Sequence, residues 1–99
     1  MKMMEEMIYY SELYDLYKNL LTDKQKSYFE EYYFKNLSFS EIAENYNISR
    51  NGVYNQVKFT KELLEDYEKK LHLKEKQKKI EKIIQDEEKI EKIREIIFE

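Results

Sequence analysis

The sequence predicts an all-α chain: a small helical bundle carrying a helix-turn-helix, followed by a long charged C-terminal helix. Three observations predict it. There is no proline and Gly52 is the only glycine, which leaves tight hairpins without the residues their primed turns favour. Apolar side chains recur at three- and four-residue steps along the 99 residues, the spacing of one helix face. Twice a Ser or Thr stands three residues before a Gln or Glu at the head of such a stretch, at Thr22/Gln25 and Ser38/Glu41. In that arrangement each side chain satisfies the other's free backbone N–H, a capping box.

The first helix is expected from about Met7 to Leu21, where Tyr9, Leu13, Leu16, Tyr17, Leu20 and Leu21 mark one face. "TDKQ" reads as a stop and restart capped by Thr22. The second helix, about Asp23 to Lys35, carries Tyr28, Phe29, Tyr32 and Tyr33, apolar on more than one side, so it packs between neighbours. Ser38 caps a short third helix, about Phe39 to Tyr46. Asn47 stands at a bend, where Asn tolerates the left-handed conformation better than most residues. Ser49 caps the fourth helix, which points Val53, Val57, Leu64, Tyr67 and Leu71 inward and ends near Leu71. Most tyrosines, including Tyr14, Tyr17, Tyr28, Tyr32 and Tyr67, fall on apolar stripes and are expected in the core.

From Lys74 the texture changes to "KEKQKKIEKIIQDEEKIEKIREIIFE". Ile83, Ile90 and Ile97 repeat every seven residues, but Glu87 and Arg94 stand where a second apolar seam position would be. A stable coiled coil wants both positions apolar. The stripe therefore suits a solvated helix laid on the core or on a second copy of the chain, with an independent coiled coil as the alternative. Residues 1–71 are expected to form the helix-turn-helix domain and 72–99 a charged helix for packing or dimerisation.

"EIAENYNISRNGVYNQV" fits two helices and a turn. Ala43 is small enough for a close crossing, and Tyr46, Ile48, Val53 and Val57 supply apolar contacts. On the fourth helix the outward face holds Asn51, Asn55, Lys58 and Glu62, with Arg50, Tyr54 and Lys61 at its margin. Asn can contact adenine bidentately, and Arg or Lys can hold phosphates. Yet Glu41, Glu44 and Glu62 offset Arg50, Lys58 and Lys61. Net charge is -2 over residues 1–21, -1 over 22–71 and 0 over 72–99, matching the -3 of the whole chain. Phosphate binding at physiological salt usually needs several unopposed cations, so the residues alone leave DNA and other partners both open.

Composition argues against an enzyme. His72 is the only histidine and cysteine is absent, which removes histidine-pair metal sites and histidine–cysteine dyads. No phosphate-cradling glycine loop is present. His72 itself is expected on the solvated surface near a helix junction. No cofactor or metal is expected. The N-terminus lacks a signal-peptide run and no apolar run approaches a membrane span, so a cytoplasmic protein is expected.

The stretch from Tyr9 to Leu71 resembles the YlxM family of small bacterial proteins. The elements are "LYDLY", "LLTDKQ", "YFEEYY", "SFSEIAE", "SRNGVY" and "LEDYEKKL", in that order. The same region is more distantly similar to region 4 of bacterial sigma factors, which binds promoter DNA. The resemblance implies an all-helical protein with a sigma-like helix-turn-helix, no enzymatic activity and no cofactor. It also implies a non-catalytic accessory or regulatory role in the signal recognition particle targeting pathway, through contact with the Ffh GTPase or the particle RNA. A homodimer through the C-terminal helix follows from the same likeness, and a DNA-binding transcriptional regulator is the alternative. Carried onto this chain, the sigma-like reading puts Ser49, Arg50, Asn51, Asn55 and Lys58 at groove-facing positions. Sigma reading helices are usually more basic there, which favours a partner protein or ribonucleoprotein. The expected contact set is Ser49, Arg50, Asn51, Tyr54, Asn55, Lys58 and Lys61, with Arg50, Tyr54, Lys58 and Lys61 as the docking patch.

Overall fold

The computed structural model describes residues 4–99. In chain order it contains α1 (Met4–Tyr17), a 3-10 turn (Lys18–Leu20), α2 (Asp23–Tyr33), α3 (Phe39–Tyr46), α4 (Arg50–Leu71), α5 (Leu73–Ile83) and α6 (Glu87–Ile97). No strand forms among the described residues. The all-α class follows, and α2, α3 and α4 lie close to the bounds the caps predict, whereas α1 is already helical at Met4 and gives way after Tyr17 to the 3-10 turn rather than running to Leu21.

Both capping boxes form. Thr22 Oγ1 accepts from the Gln25 N–H at 3.2 Å while Gln25 Oε1 accepts from the Thr22 N–H at 2.9 Å. Ser38 and Glu41 repeat this at 3.1 and 3.0 Å. Ser49 Oγ accepts from the Gly52 N–H at 3.0 Å. Asn47 adopts the left-handed conformation at φ 55°, ψ 46°. The Ile48 N–H then reaches back to the Ala43 carbonyl at 3.0 Å, closing the turn as a Schellman-type cap.

The core is largely aromatic and sits between α1, α2, α3 and α4. Leu13, Phe29, Ile42, Val53 and Leu64 are wholly buried, with Tyr14, Tyr17, Tyr28 and Tyr33 nearly so. Tyr14 and Phe29 stack with centroids 4.7 Å apart. Buried tyrosines must place a hydroxyl, and Tyr14, Tyr17 and Tyr33, with the half-buried Tyr10, each find a carboxylate on another helix. Tyr17 donates to Glu68 at 2.7 Å, Tyr33 to Glu6 at 3.0 Å, Tyr10 to Glu65 and Tyr14 to Glu30. Tyr32 and Tyr67 are half-buried rather than buried, and Leu71 is exposed at the end of α4.

The tail departs from expectation. It is two helices, not one long one: α5 ends at Ile83, and Asp86 starts α6 by accepting from the N–H groups of Glu88 and Lys89 at 3.0 and 3.3 Å. The break changes the helical phase and splits the isoleucine stripe. Ile90 is buried, Ile83 is 82% exposed and Ile97 is exposed. Arg94 of α6 meets Glu81 of α5 at 2.7 Å, so the pair forms a hairpin. A second surprise lies at its root. His72 takes a left-handed conformation at φ 56° and gives α5 no side-chain cap. Glu68 substitutes from the previous helix, accepting from the Lys74 and Glu75 N–H groups at 3.0 and 3.2 Å. His72 itself is exposed and lies 3.1 Å from Glu75.

Candidate docking site on the fourth helix

α4 is the spine of the bundle, packed against α1, α2 and α3. Its buried stripe is Val53, Val57, Thr60 and Leu64. Thr60 is wholly buried and donates its hydroxyl to the Gln56 carbonyl at 2.8 Å, so its polarity costs the core little. With 3.6 residues per turn, this stripe fixes where every other side chain of α4 must point.

The seven expected contact residues do not share one face. Ser49, Asn51 and Asn55 are exposed. Asn51 and Asn55 stand opposite the buried stripe with Glu62, and the Ser49 hydroxyl is occupied by the cap. Arg50, Tyr54, Lys58 and Lys61 recur at steps of four, four and three, forming a separate stripe about a quarter turn away. That stripe borders the α2–α3 connection. Phe39, the first residue of α3, is its meeting point. Tyr32 stacks on Phe39 with centroids 4.4 Å apart and planes at 11°. Tyr54 meets the same ring edge-on at 5.6 Å, and the Arg50 guanidinium lies 5.5 Å from its centroid.

Lys61 behaves differently from the other cations. Its Nζ lies 2.7 Å from Glu6 Oε1 and 4.7 Å from the Tyr10 ring centroid. The same Glu6 oxygen accepts from Tyr33. Lys61 thus ties α4 to α1 and keeps little charge for a partner. Arg50 and Lys58 have no carboxylate within ion-pair distance among the described residues. Glu41 remains close by. Its capping bonds from Ser38 hold the carboxyl below the ordinary carboxylate range, so it is ionised at neutral pH.

Two hollows flank this stripe. One of about 820 Å³ is bordered by Met7, Tyr32, Leu37, Phe39, Glu41 and Arg50, among others. The other, about 280 Å³, is bordered by Tyr32, Phe39, Tyr54, Lys58 and Lys61, with Tyr33 and Val57 beneath. Tyr32 and Phe39 border both, so the hollows are neighbours with this stacked pair between them. The aromatic floor was missed from sequence. The signal for it was Phe39 between Ser38 and Ser40, a large apolar residue in the polar first turn of a helix. Among the described residues no cluster of three metal-ligating side chains occurs, and no helix is long and apolar enough to cross a membrane.

The fold and this exposed α4 define a small helix-turn-helix protein. Residues 4–97 match the UPF0122 family, described as "Putative helix-turn-helix protein, YlxM / p13 like", and the chain belongs to that family. A UPF0122 protein of Mycoplasma capricolum is 52% identical over 75 residues, 76% of this chain and 66% of its own length. One of Mycoplasma mycoides matches to the same extent. A UPF0122 protein of Staphylococcus aureus is 51% identical over 61 residues, 62% of this chain and 56% of its own. The matches thus span a little under two thirds of the Mycoplasma relatives and just over half of the Staphylococcus one.

Proposed function

We propose that this chain is a non-catalytic, cytoplasmic accessory protein of the signal recognition particle pathway, docking on Ffh or its RNA through α4. The likeness to the YlxM family supplies the pathway. The observation that carries the choice of partner is the fate of Lys61. With Lys61 engaged by Glu6, Arg50 and Lys58 are the cations left along this stripe, and Glu41 borders the same hollow as Arg50. Each phosphate contact contributes through counterion release, and two cations supply little of it. Docking that depends on shape and a few directed contacts fits such a surface better than duplex wrapping.

A DNA regulator is the second reading, favoured by the exposure of Asn51 and Asn55 on one outward face. We also propose that two copies pair through the tail, where Ile83 and Ile96 are 82% and 69% exposed. A salt series separates the first two readings. Binding to purified Ffh, to particle RNA and to pooled genomic DNA fragments is measured from low to physiological salt. Binding to Ffh or its RNA should persist while DNA binding fades. Sequence-selective DNA binding at physiological salt, with no binding to the particle, would overturn the proposal.

A further inference from the structure

The neighbouring hollows beside α4 form an uneven groove over Tyr32 and Phe39, whose occupant can be narrowed by its floor, its rim and its ends. The floor is aromatic, but its central ring is already covered: Phe39 carries Tyr32 on one face, meets Tyr54 in a T-shaped contact and has the Arg50 guanidinium over its ring. Nucleobases bind such proteins by stacking on open ring faces. A floor of mutually packed rings offers apolar walls and ring edges instead, which suit an inserted aliphatic or aromatic side chain. Tyr54 remains 43% exposed, so part of this surface is available. The rim carries positive charge at Arg50 and Lys58, with no internal carboxylate neutralising either among the described residues. Glu41 closes the Arg50 end and opposes a polyanion running the length of the groove.

We infer that the groove bordered by Tyr32, Phe39, Arg50, Tyr54 and Lys58 is a docking site for a protein segment with a large apolar anchor flanked by carboxylates. The anchor enters the hollow beside the Tyr54–Phe39 pair, and a carboxylate meets Lys58. A guanidinium already held against an aromatic wall, as Arg50 is over Phe39, gives a charge-assisted contact with little further ordering cost. The inference rests on the docking reading above and names the chemistry that Ffh, or another protein of the particle, would present.

The test uses a displayed library of random short peptides selected on the full chain. Enriched peptides should pair a Phe, Leu or Met with a nearby Asp or Glu. For one such peptide, made with a fluorophore, Lys58→Glu should weaken binding by roughly tenfold, the scale of one lost ion-paired contact. A version with Lys in place of its acid should bind Lys58→Glu better than the wild type. Tyr54→Ala should also weaken binding, whereas Asn51→Ala should not. Helicity and melting confirm that each variant folds. Absence of enrichment, peptides without acids, or binding indifferent to Lys58→Glu would overturn the inference. So would an unstructured RNA oligonucleotide that displaces the peptide and loses affinity with the same variants. If peptides fail while Ffh still binds and is lost on Asn51→Ala or Asn55→Ala, the groove falls and the docking reading stands.

Discussion

The bundle of α1–α4 and the α5–α6 hairpin share helical periodicity but are held by different forces. The bundle buries Leu13, Tyr17, Phe29, Ile42, Val53 and Leu64 almost completely. The hairpin buries Ile90 and leaves Ile83 and Ile96 mostly in solvent. Polar contacts hold it instead: Glu68 at its root, Lys74 3.5 Å from Glu12 of α1, and Arg94 on Glu81. Apolar burial contributes on the order of 1.5–3 kcal/mol per large side chain, whereas exposed ion pairs contribute ~0–1. Periodicity therefore says that a segment can be helical. Burial decides whether it carries the fold.

The contrast is tested most severely by Phe29→Ala in the bundle. It should cost about 3–5 kcal/mol and lower the denaturant midpoint of the whole chain. Ile83→Asp in the hairpin should leave the stability of the single chain unchanged, and its effect should appear only in sedimentation if two copies pair there. A loss of stability from Ile83→Asp approaching that of Phe29→Ala would erase the distinction.

A smaller effect is expected where the two regions join. Tyr17→Phe removes the hydroxyl that donates to Glu68 and accepts from the Leu73 N–H at 3.1 Å. It should cost about 1–2 kcal/mol, and amide exchange should quicken first in α5. The same hydroxyl gives the junction an alkaline limit. Burial and the bond to Glu68 push Tyr17 up to about 12. Because the folded value exceeds the free value of 10.0, its contribution is complete below about pH 10 and is lost as pH rises through about 12. Tyr10, Tyr14 and Tyr33 are raised as well, by burial first and then by their carboxylate partners, so the bundle should share this alkaline melting.

The smallest effects should stay inside the hairpin. Asp86→Ala removes the cap of α6 and should cost that helix about 0.5–2 kcal/mol, seen as faster exchange in α6 with little change in bundle melting. The bond from Arg94 holds the Glu81 carboxyl below its ordinary range. Its stabilisation is present above that range and is lost as pH falls through the lowered value. Acid below the ordinary carboxylate range should therefore loosen α6 from α5, a change that amide exchange would follow.

Much of the bundle was legible because its signals are local. Thr22/Gln25, Ser38/Glu41 and Asn47 act on neighbours a few residues away, and sequence spacing shows them directly. The Tyr–Glu bonds were not legible, since Tyr17 and Glu68 are joined only by the packing of α1 on α4. The break at Ile84–Asp86 was obscured for a different reason. It contains neither glycine nor proline, and Asp86 sits in a run of acids that disguises a cap as a solvated helix face. His72 was placed correctly on the surface, but nothing in its charged surroundings marked it as the left-handed hinge. On the site, helical spacing separated Asn51 and Asn55 from the Arg50, Tyr54 and Lys61 margin. It did not show that Glu6, distant in sequence, takes up Lys61, nor that Phe39 would floor a groove.

The most direct test of docking through the groove-side stripe is a titration of the purified particle, Ffh with its RNA, at physiological salt. Wild type is compared with Lys58→Glu and with the Asn51→Ala, Asn55→Ala double variant, each shown by melting to be folded. The account predicts that Lys58→Glu weakens binding by roughly tenfold or more while the asparagine variant stays within about twofold of wild type. The reverse order, asparagines essential and Lys58 dispensable, would contradict it and return the outward face of α4 to the role of a base reader.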